Sequence, residues 1–198
     1  MSERFVLATH NANKLAEMSD ILSKLGIEVI SPADLGITVD VEETGQTFAE
    51  NAALKARAIC AAAGLPAIAD DSGLCVDALN GGPGVYSARY GGEELDDRGR
   101  YMLLLNSMRG QTTRAARFVC AVCCAFPNGD ELTAEGTCEG TIAFAPMGEN
   151  GFGYDPVFFV PEKARTFAQL TAEEKAGISH RGKALADFVE KLGTYLKK

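Results

Sequence analysis

The chain has 198 residues, 46% of them hydrophobic and 23% charged, enough to bury one substantial core, or one core with a second lobe. Its 27 acidic and 19 basic residues leave a net charge of −8, which disfavours nucleic acid as a partner, since non-specific nucleic-acid binding depends on basic surface. The amino terminus "MSERFVLATH" lacks the basic and apolar regions of a signal peptide, and the run "AICAAAGLPAIA" is too short for a bilayer and broken by Gly64 and Pro66, so a soluble, cytoplasmic protein with no membrane partner is expected.

"RFVLATH" predicts a short strand. "NANKLAEMSDILSKLG" predicts a helix with Leu15, Met18, Leu22 and Leu25 on one stripe, Asn11 as its N-cap and Gly26 as its stop. "IEVIS" reads as a second strand. "TFAENAALKARAICAAAG" then opens with Thr47 and Glu50 in capping-box spacing and ends at Gly64. "LPAIAD" is the third strand. Strand, helix, strand, helix, strand argues for an α/β layer with parallel pairs at its centre.

The pattern then changes. "ALNGGPGVYSARYGG" is a glycine-rich loop, followed by a helix around "YMLLLNSM". "RFVCAVCCAFPNGDELTAEGTCEGTIAFAP" predicts an antiparallel hairpin turning at "PNGD". A second loop, "MGENGFGYDP", leads into the strand "VFFVP". The last helix, "SHRGKALADFVEKLGTYLKK", carries the stripe Leu185, Phe188, Val189, Leu192 and Tyr195. The expected fold is α/β: a mixed central sheet with flanking helices and glycine-rich loops collecting at one side. Six cysteines invite a metal reading, chiefly "CAVCCAF". As a strand, that stretch puts Cys120 and Cys124 on one face and Cys123 on the other, which does not converge on one zinc. The cysteines read instead as reduced, mostly buried, small apolar side chains.

Polar residues gather at strand ends and helix starts. Asn11 and Lys14 stand at the first helix's entrance; Ser179, His180 and Arg181 stand at the last helix's, with Ser179 as N-cap. Helix entrances offer free N–H groups and a partial positive charge, so they suit anions. "AIADDSGL" runs an apolar strand into two adjacent carboxylates, Asp70 and Asp71. Either this is an ordinary Asp-Ser-Gly turn, or the pair faces a cation, a donor array or open solvent. "GISHRGKA" has the P-loop spacing up to its lysine, yet Ala184 stands where a magnesium-holding hydroxyl belongs and no strand precedes it. What remains is acids without a dedicated nucleophile, Glu42, Glu43, Asp70 and Asp71, and the bases Lys14, Lys55, Lys175 and Arg181. Carboxylates suit magnesium, and lysine and arginine suit phosphate oxygens, a combination that fits phosphoryl chemistry.

"LATHNANK", "EETGQTFAENAALKARA", "LPAIADDSGLCVDALNGGPGVYSARY", "GFGYDPVF" and "LTAEEKAGISHRGKAL" resemble, in order, the signature blocks of the inosine/xanthosine triphosphate pyrophosphatases. The resemblance covers nearly the whole chain, residues 1–198 as one such domain. It implies a homodimeric, magnesium-dependent (Mg2+) enzyme with two lobes around a substrate cleft. The implied reaction converts a purine nucleoside triphosphate (ITP, dITP or XTP) to its monophosphate and pyrophosphate.

Carried over residue by residue, the resemblance puts Thr9, His10, Asn11, Ala12, Asn13 and Lys14 on the triphosphate. It makes Asp71 the water-activating base and a magnesium ligand, with Glu42 as partner acid and Ser72 touching substrate. Phe152, Gly153, Tyr154 and Asp155 would form the base pocket, closed by Lys175, His180 and Arg181, with Lys55 as an additional phosphate-side lysine. Asp70 would then orient the turn or a lysine, Lys14 or Lys55. Two positions depart from the family pattern, which has glycine where His10 and Asn150 stand here. The other readings are a magnesium phosphatase or kinase moving a single phosphate, and a catalytically silent nucleotide-binding protein.

Overall fold

A computed structural model describes residues 3–9 and 12–197, with the side chains at 3, 12–14, 16, 17 and 20 outside that description. In chain order the regular elements are β1 (Glu3–Leu7), α1 (Ala12–Ser23), β2 (Ile27–Ile30), α2 (Phe48–Ala63), β3 (Ala67–Val76) and α3 (Asp97–Ser107). They continue with β4 (Ala115–Ala125), β5 (Glu131–Ile142), β6 (Phe158–Val160), β7 (Arg165–Thr166), α4 (Ala172–Ala176) and α5 (His180–Tyr195). The strands form one seven-stranded sheet in the order β2-β1-β3-β4-β5-β6-β7. β1 pairs in parallel with β2 and with β3, Val6 lying opposite Ala67. β5–β6 and β6–β7 are antiparallel. The sheet is therefore mixed, as the order of predicted elements implies. Among the described residues, no helix is long and apolar enough to cross a membrane.

The chain divides into two compact units. One comprises Met1–Asp71, Cys120–Glu135 and Ala184–Lys198; the other comprises Ser72–Val119 and Gly136–Lys183. The first unit's core joins Phe5 and Leu7 of β1, Met18 and Leu22 of α1, Ile68 of β3, Cys120, Val122 and Cys124 of β4, and Leu185, Phe188 and Leu192 of α5. The second unit's core joins Leu74, Leu104, Phe118, Ile142, Phe158 and Phe167. All six cysteines are free, and every one except Cys75 is buried. Cys120 and Cys124 share a core face, as the alternation of the strand requires.

Two expectations are corrected, and the helix around "YMLLLNSM" is found with an earlier start. Leu25 does not continue the α1 stripe: it is exposed, and partly buried Ile21 packs against the core. The helix ends at Ser23 and the chain turns at Gly26, whose N–H donates to the Ser23 carbonyl, so Leu25 leaves the helical register. The third strand does not stop at Asp70; it runs to Val76, nearly every side chain buried. A strand covered on both faces continues through polar residues if they find partners, which Asp70 and Asp71 do. α3 begins at Asp97, four residues before "YMLLLNSM", because the Asp96 carboxylate caps it by accepting from the Gly99 N–H at 2.7 Å.

Candidate active site

In the first unit the site is built from the α2 entrance. The Thr47 hydroxyl accepts from the Glu50 N–H, and the Glu50 carboxylate accepts from the Thr47 and Gln46 N–H groups. This capping box, legible in the sequence, sets how residues 42–47 enter the helix. One turn in, Asn51 is fully buried: its Oδ1 accepts from the Gly45 N–H at 2.8 Å and its Nδ2 donates to Asp71 Oδ2 at 3.1 Å. A Cβ at Gly45 would lie 2.6 Å from Asn51 Oδ1, so the loop approaches this closely only without a side chain. One turn further, Lys55 Nζ lies 2.7 Å from Glu43 Oε1 and 3.7 Å from Asp71 Oδ1. Asp71 is thus held on both oxygens by residues spaced i and i+4 on α2.

Asp70 precedes it on β3, and alternation sends the two carboxylates to opposite faces. Asp70 is 2% exposed, and the Cys120 thiol approaches its Oδ2 at 4.0 Å. The "DDSG" stretch is therefore strand rather than turn. Lys55, one of the cations offered for Asp70, lies instead between Glu43 and Asp71. Glu42 is exposed, and its main-chain carbonyl accepts from the Thr44 N–H. Thr9 is half-buried just past β1, where the Ala8 N–H donates to the Ile68 carbonyl of β3. His10 and Asn11 lie outside the described residues. Ala12, Asn13 and Lys14 form the first turn of α1, their side chains also outside the description.

Ser72 follows Asp71 directly on β3 and begins the second unit. Its hydroxyl receives Arg181 Nη2 at 3.3 Å. Arg181 and His180 open α5, which Ser179 caps by accepting from the Gly182 N–H at 3.0 Å. The His180 ring stacks on Phe118, centroids 4.7 Å apart and planes 12° from parallel. Phe152 keeps 42% of its surface exposed. Lys175 Nζ lies 4.9 Å from its ring centroid and the Arg181 guanidinium carbon 5.9 Å. An accessible aromatic ring beside two cations can stack a flat heterocycle and address its polar edge.

The segment carrying Phe152 is fastened at each residue. Asp155, 3% exposed, accepts from the Phe152 N–H at 3.0 Å and from Lys175 Nζ at 2.5 Å on the same oxygen. Burial raises the Asp155 carboxyl above the usual carboxylate range, and the Lys175 ammonium and the Phe152 N–H oppose that rise. The Gly153 N–H donates to Asp97 Oδ2 at 2.7 Å, and the buried Tyr154 hydroxyl donates to the Ser87 carbonyl at 2.8 Å. Gly151 has φ +76°, and a Cβ there would fall on the Asp155 carboxylate, so the turn admits no side chain. Asn150, the second of the two expected departures, is not in the left-handed region. Its N–H and side-chain amide donate to the Ala168 and Leu170 carbonyls, both at 3.0 Å, so the residue fits without strain.

Asn51 supports the first unit's site residues, and Asp97, Ser87 and Phe118 support the second unit's; sequence reasoning did not single them out. Asn51 had a readable signal, a polar residue among Phe48, Ala52 and Ile59 on the buried face of α2. The other three act through contacts many residues away and leave no local mark.

The Ham1 family profile matches residues 5–191. A dITP/XTP pyrophosphatase of Haemophilus influenzae is 53% identical over 196 residues, covering 97% of this chain and all of that one. One from Exiguobacterium is 50% identical over 194 residues, covering 98% and 99%. A solved structure of a HAM1 protein from Coxiella burnetii superposes with a TM-score of 0.90 at 45% identity, covering 98% of each chain. The matched range takes in both Asp71 and Phe152, and the chain belongs to the Ham1 family.

Proposed function

We propose that the protein is a nucleoside-triphosphate pyrophosphohydrolase that removes ITP, dITP and XTP by cleaving them to the monophosphate and pyrophosphate. The observation that carries this is Asp71, a carboxylate fixed on both oxygens by Asn51 and Lys55, in a chain whose relatives are named for that reaction. Asp71 aligns a water against the α-phosphorus and takes its proton. The new phosphorus–oxygen bond forms from the water as the bond to pyrophosphate breaks, and no covalent enzyme intermediate is required. Lys55 adds positive charge beside the carboxylate, and the first turn of α1 presents main-chain N–H groups to the triphosphate.

Among the described residues, no three His, Cys, Asp or Glu side chains come together as a metal site. Magnesium binds through one or two carboxylates and completes its shell with water and substrate phosphates. Asp71 and Glu42 are hard oxygen donors of the right kind and would hold it. When bound, it would neutralise charge on the triphosphate. For selectivity, a purine stacked on Phe152 meets the donors of Lys175 and Arg181. A 6-oxo purine accepts from them, whereas the 6-amino group of adenine leaves them unmet. Each such loss costs about 1–3 kcal/mol, so two or three together yield about a thousandfold preference. The reading includes a cytoplasmic homodimer: free, buried cysteines fit a reducing compartment, and the dimer rests on the family resemblance and is measured by light scattering.

Steady-state hydrolysis of ITP, XTP, GTP and ATP with magnesium, with products resolved by ion exchange, tests the proposal. Pyrophosphate and monophosphate should appear from ITP and XTP, chelation should stop the reaction, and Asp71→Asn should lower kcat by at least about a hundredfold. Orthophosphate with a diphosphate product would reject it in favour of a phosphatase. Turnover unchanged in Asp71→Asn would leave only a nucleotide-binding protein.

A further inference from the structure

We propose that Asp97 is a positioning residue for purine recognition, its carboxylate fixing the main chain at Gly153 and through it the orientation of Phe152. This deepens the reading above, since it rests on Phe152 as the seat of the base. Of the contacts that fasten residues 152–155, two come from within or beside the glycine-rich segment: Asp155 accepts from the Phe152 N–H, and the Asp155 N–H donates to the Phe152 carbonyl. The Tyr154 hydroxyl secures a side chain rather than the main chain. Asp97 is different. It lies 56 residues earlier, in the first turn of α3, and its Oδ2 takes the Gly153 N–H at 2.7 Å. That N–H belongs to the residue immediately after Phe152.

Asp97 is itself supported. Arg100, one turn along α3, places Nη1 4.0 Å from Asp97 Oδ1 and donates to the Tyr90 and Gly92 carbonyls. A cation tied to two main-chain carbonyls thus stands beside the carboxylate that takes the Gly153 N–H. Gly153 has φ +61°, a conformation its missing side chain permits but does not enforce. Without the carboxylate, the peptide joining Phe152 to Gly153 keeps only the bond from the Asp155 N–H to the Phe152 carbonyl, and the plane of the ring opposite Lys175 and Arg181 is less tightly set. Asp97 touches neither substrate nor reacting atoms, so its effect falls on binding and selectivity rather than on the chemical step.

The test uses the full chain and the variants Asp97→Ala and Asp97→Asn. The Asp97 side chain is 57% exposed, so neither substitution opens a cavity. Asparagine keeps an oxygen that accepts from Gly153 but removes the charge that favours the start of α3. Alanine removes both. Expected for Asp97→Ala is a rise in KM for ITP of about tenfold, kcat within about threefold of the wild type, and a reduced preference for ITP over ATP. Hydrogen exchange at the Gly153 amide should also accelerate in that variant. Asp97→Asn should stay near the wild type in both readouts. Unchanged KM and Gly153 exchange in Asp97→Ala would overturn the proposal. Equal losses in both variants would do the same, because they report the helix-terminal charge. Failure of the wild type to release pyrophosphate from ITP would overturn the reading of the activity, while Gly153 exchange judges the clamp on its own.

Discussion

Asn51 shows how one buried amide can set the geometry of a reactive group. Its oxygen holds the half-buried Gly45 N–H and its nitrogen holds the buried Asp71, so Asn51→Ala deprives each of one bond. The expected cost is about 1–3 kcal/mol of stability, read as a lower urea midpoint at unchanged slope, together with reduced kcat because Asp71 loses its orientation. A midpoint equal to the wild type's would show that the amide adds nothing. Asp155 supplies a pH dependence. Its folded pKa is raised by burial above the ordinary value of about 3.9. Between those two values the folded chain binds more protons than the unfolded chain. Stability from this residue is therefore present below the ordinary pKa and lost as pH rises through the raised one. Lys175→Met removes the charge that opposes the shift, so its destabilisation should grow as pH rises above about 4. Unfolding free energies across that range measure it, and a destabilisation that does not vary with pH would refute the coupling.

At the scale of the element, α2 joins local sequence to the site. Thr47 and Glu50 fix its first turn, Asn51 and Lys55 reach Asp71 from successive turns, and Gly64 ends it with φ +65°. Thr47→Ala should cost about 1 kcal/mol, measured by chemical denaturation, and a loss under a few tenths would mean that the tertiary contacts hold the turn without its cap. Caps of this kind were readable because donor and acceptor lie within four residues. The same holds for Ser179 before α5 and for the hairpin turn, where Phe126 and Asp130 close the connection between β4 and β5. β3 was not readable to its end. "DDSG" has the composition of a turn, and it stays extended where Asn51 and Lys55, distant in sequence, hold Asp71 and the Cys120 thiol approaches Asp70. Leu25 failed for a related reason: a stripe drawn at helical spacing says nothing of where the helix stops.

Across the whole molecule, the cysteines illustrate how burial sets reactivity. Burial pushes the Cys123 thiol up to about 11 and raises Cys124 further still, so both stay protonated and inert near neutral pH. Alkylation by iodoacetamide at about pH 7.5 should be at least about a hundredfold slower at Cys123 and Cys124 in the native protein than in guanidinium; equal rates would mean that these strands open readily. The sequence by itself determined the α/β class, the order of the elements, the helix caps and the blocks that carry Asp71, Phe152, Lys175 and Arg181. Each is written in local periodicity, in capping chemistry or in contiguous runs of residues. Only the tertiary structure decided that Glu43 meets Lys55, that Asn51 holds Asp71, that His180 stacks on Phe118 and that Asp97 fastens Gly153. Those partners are separated by between 12 and 62 residues, apart from Asn51 and Asp71 they include no pair marked by burial pattern, and hydrogen-bond geometry across such separations exists only once the chain has folded.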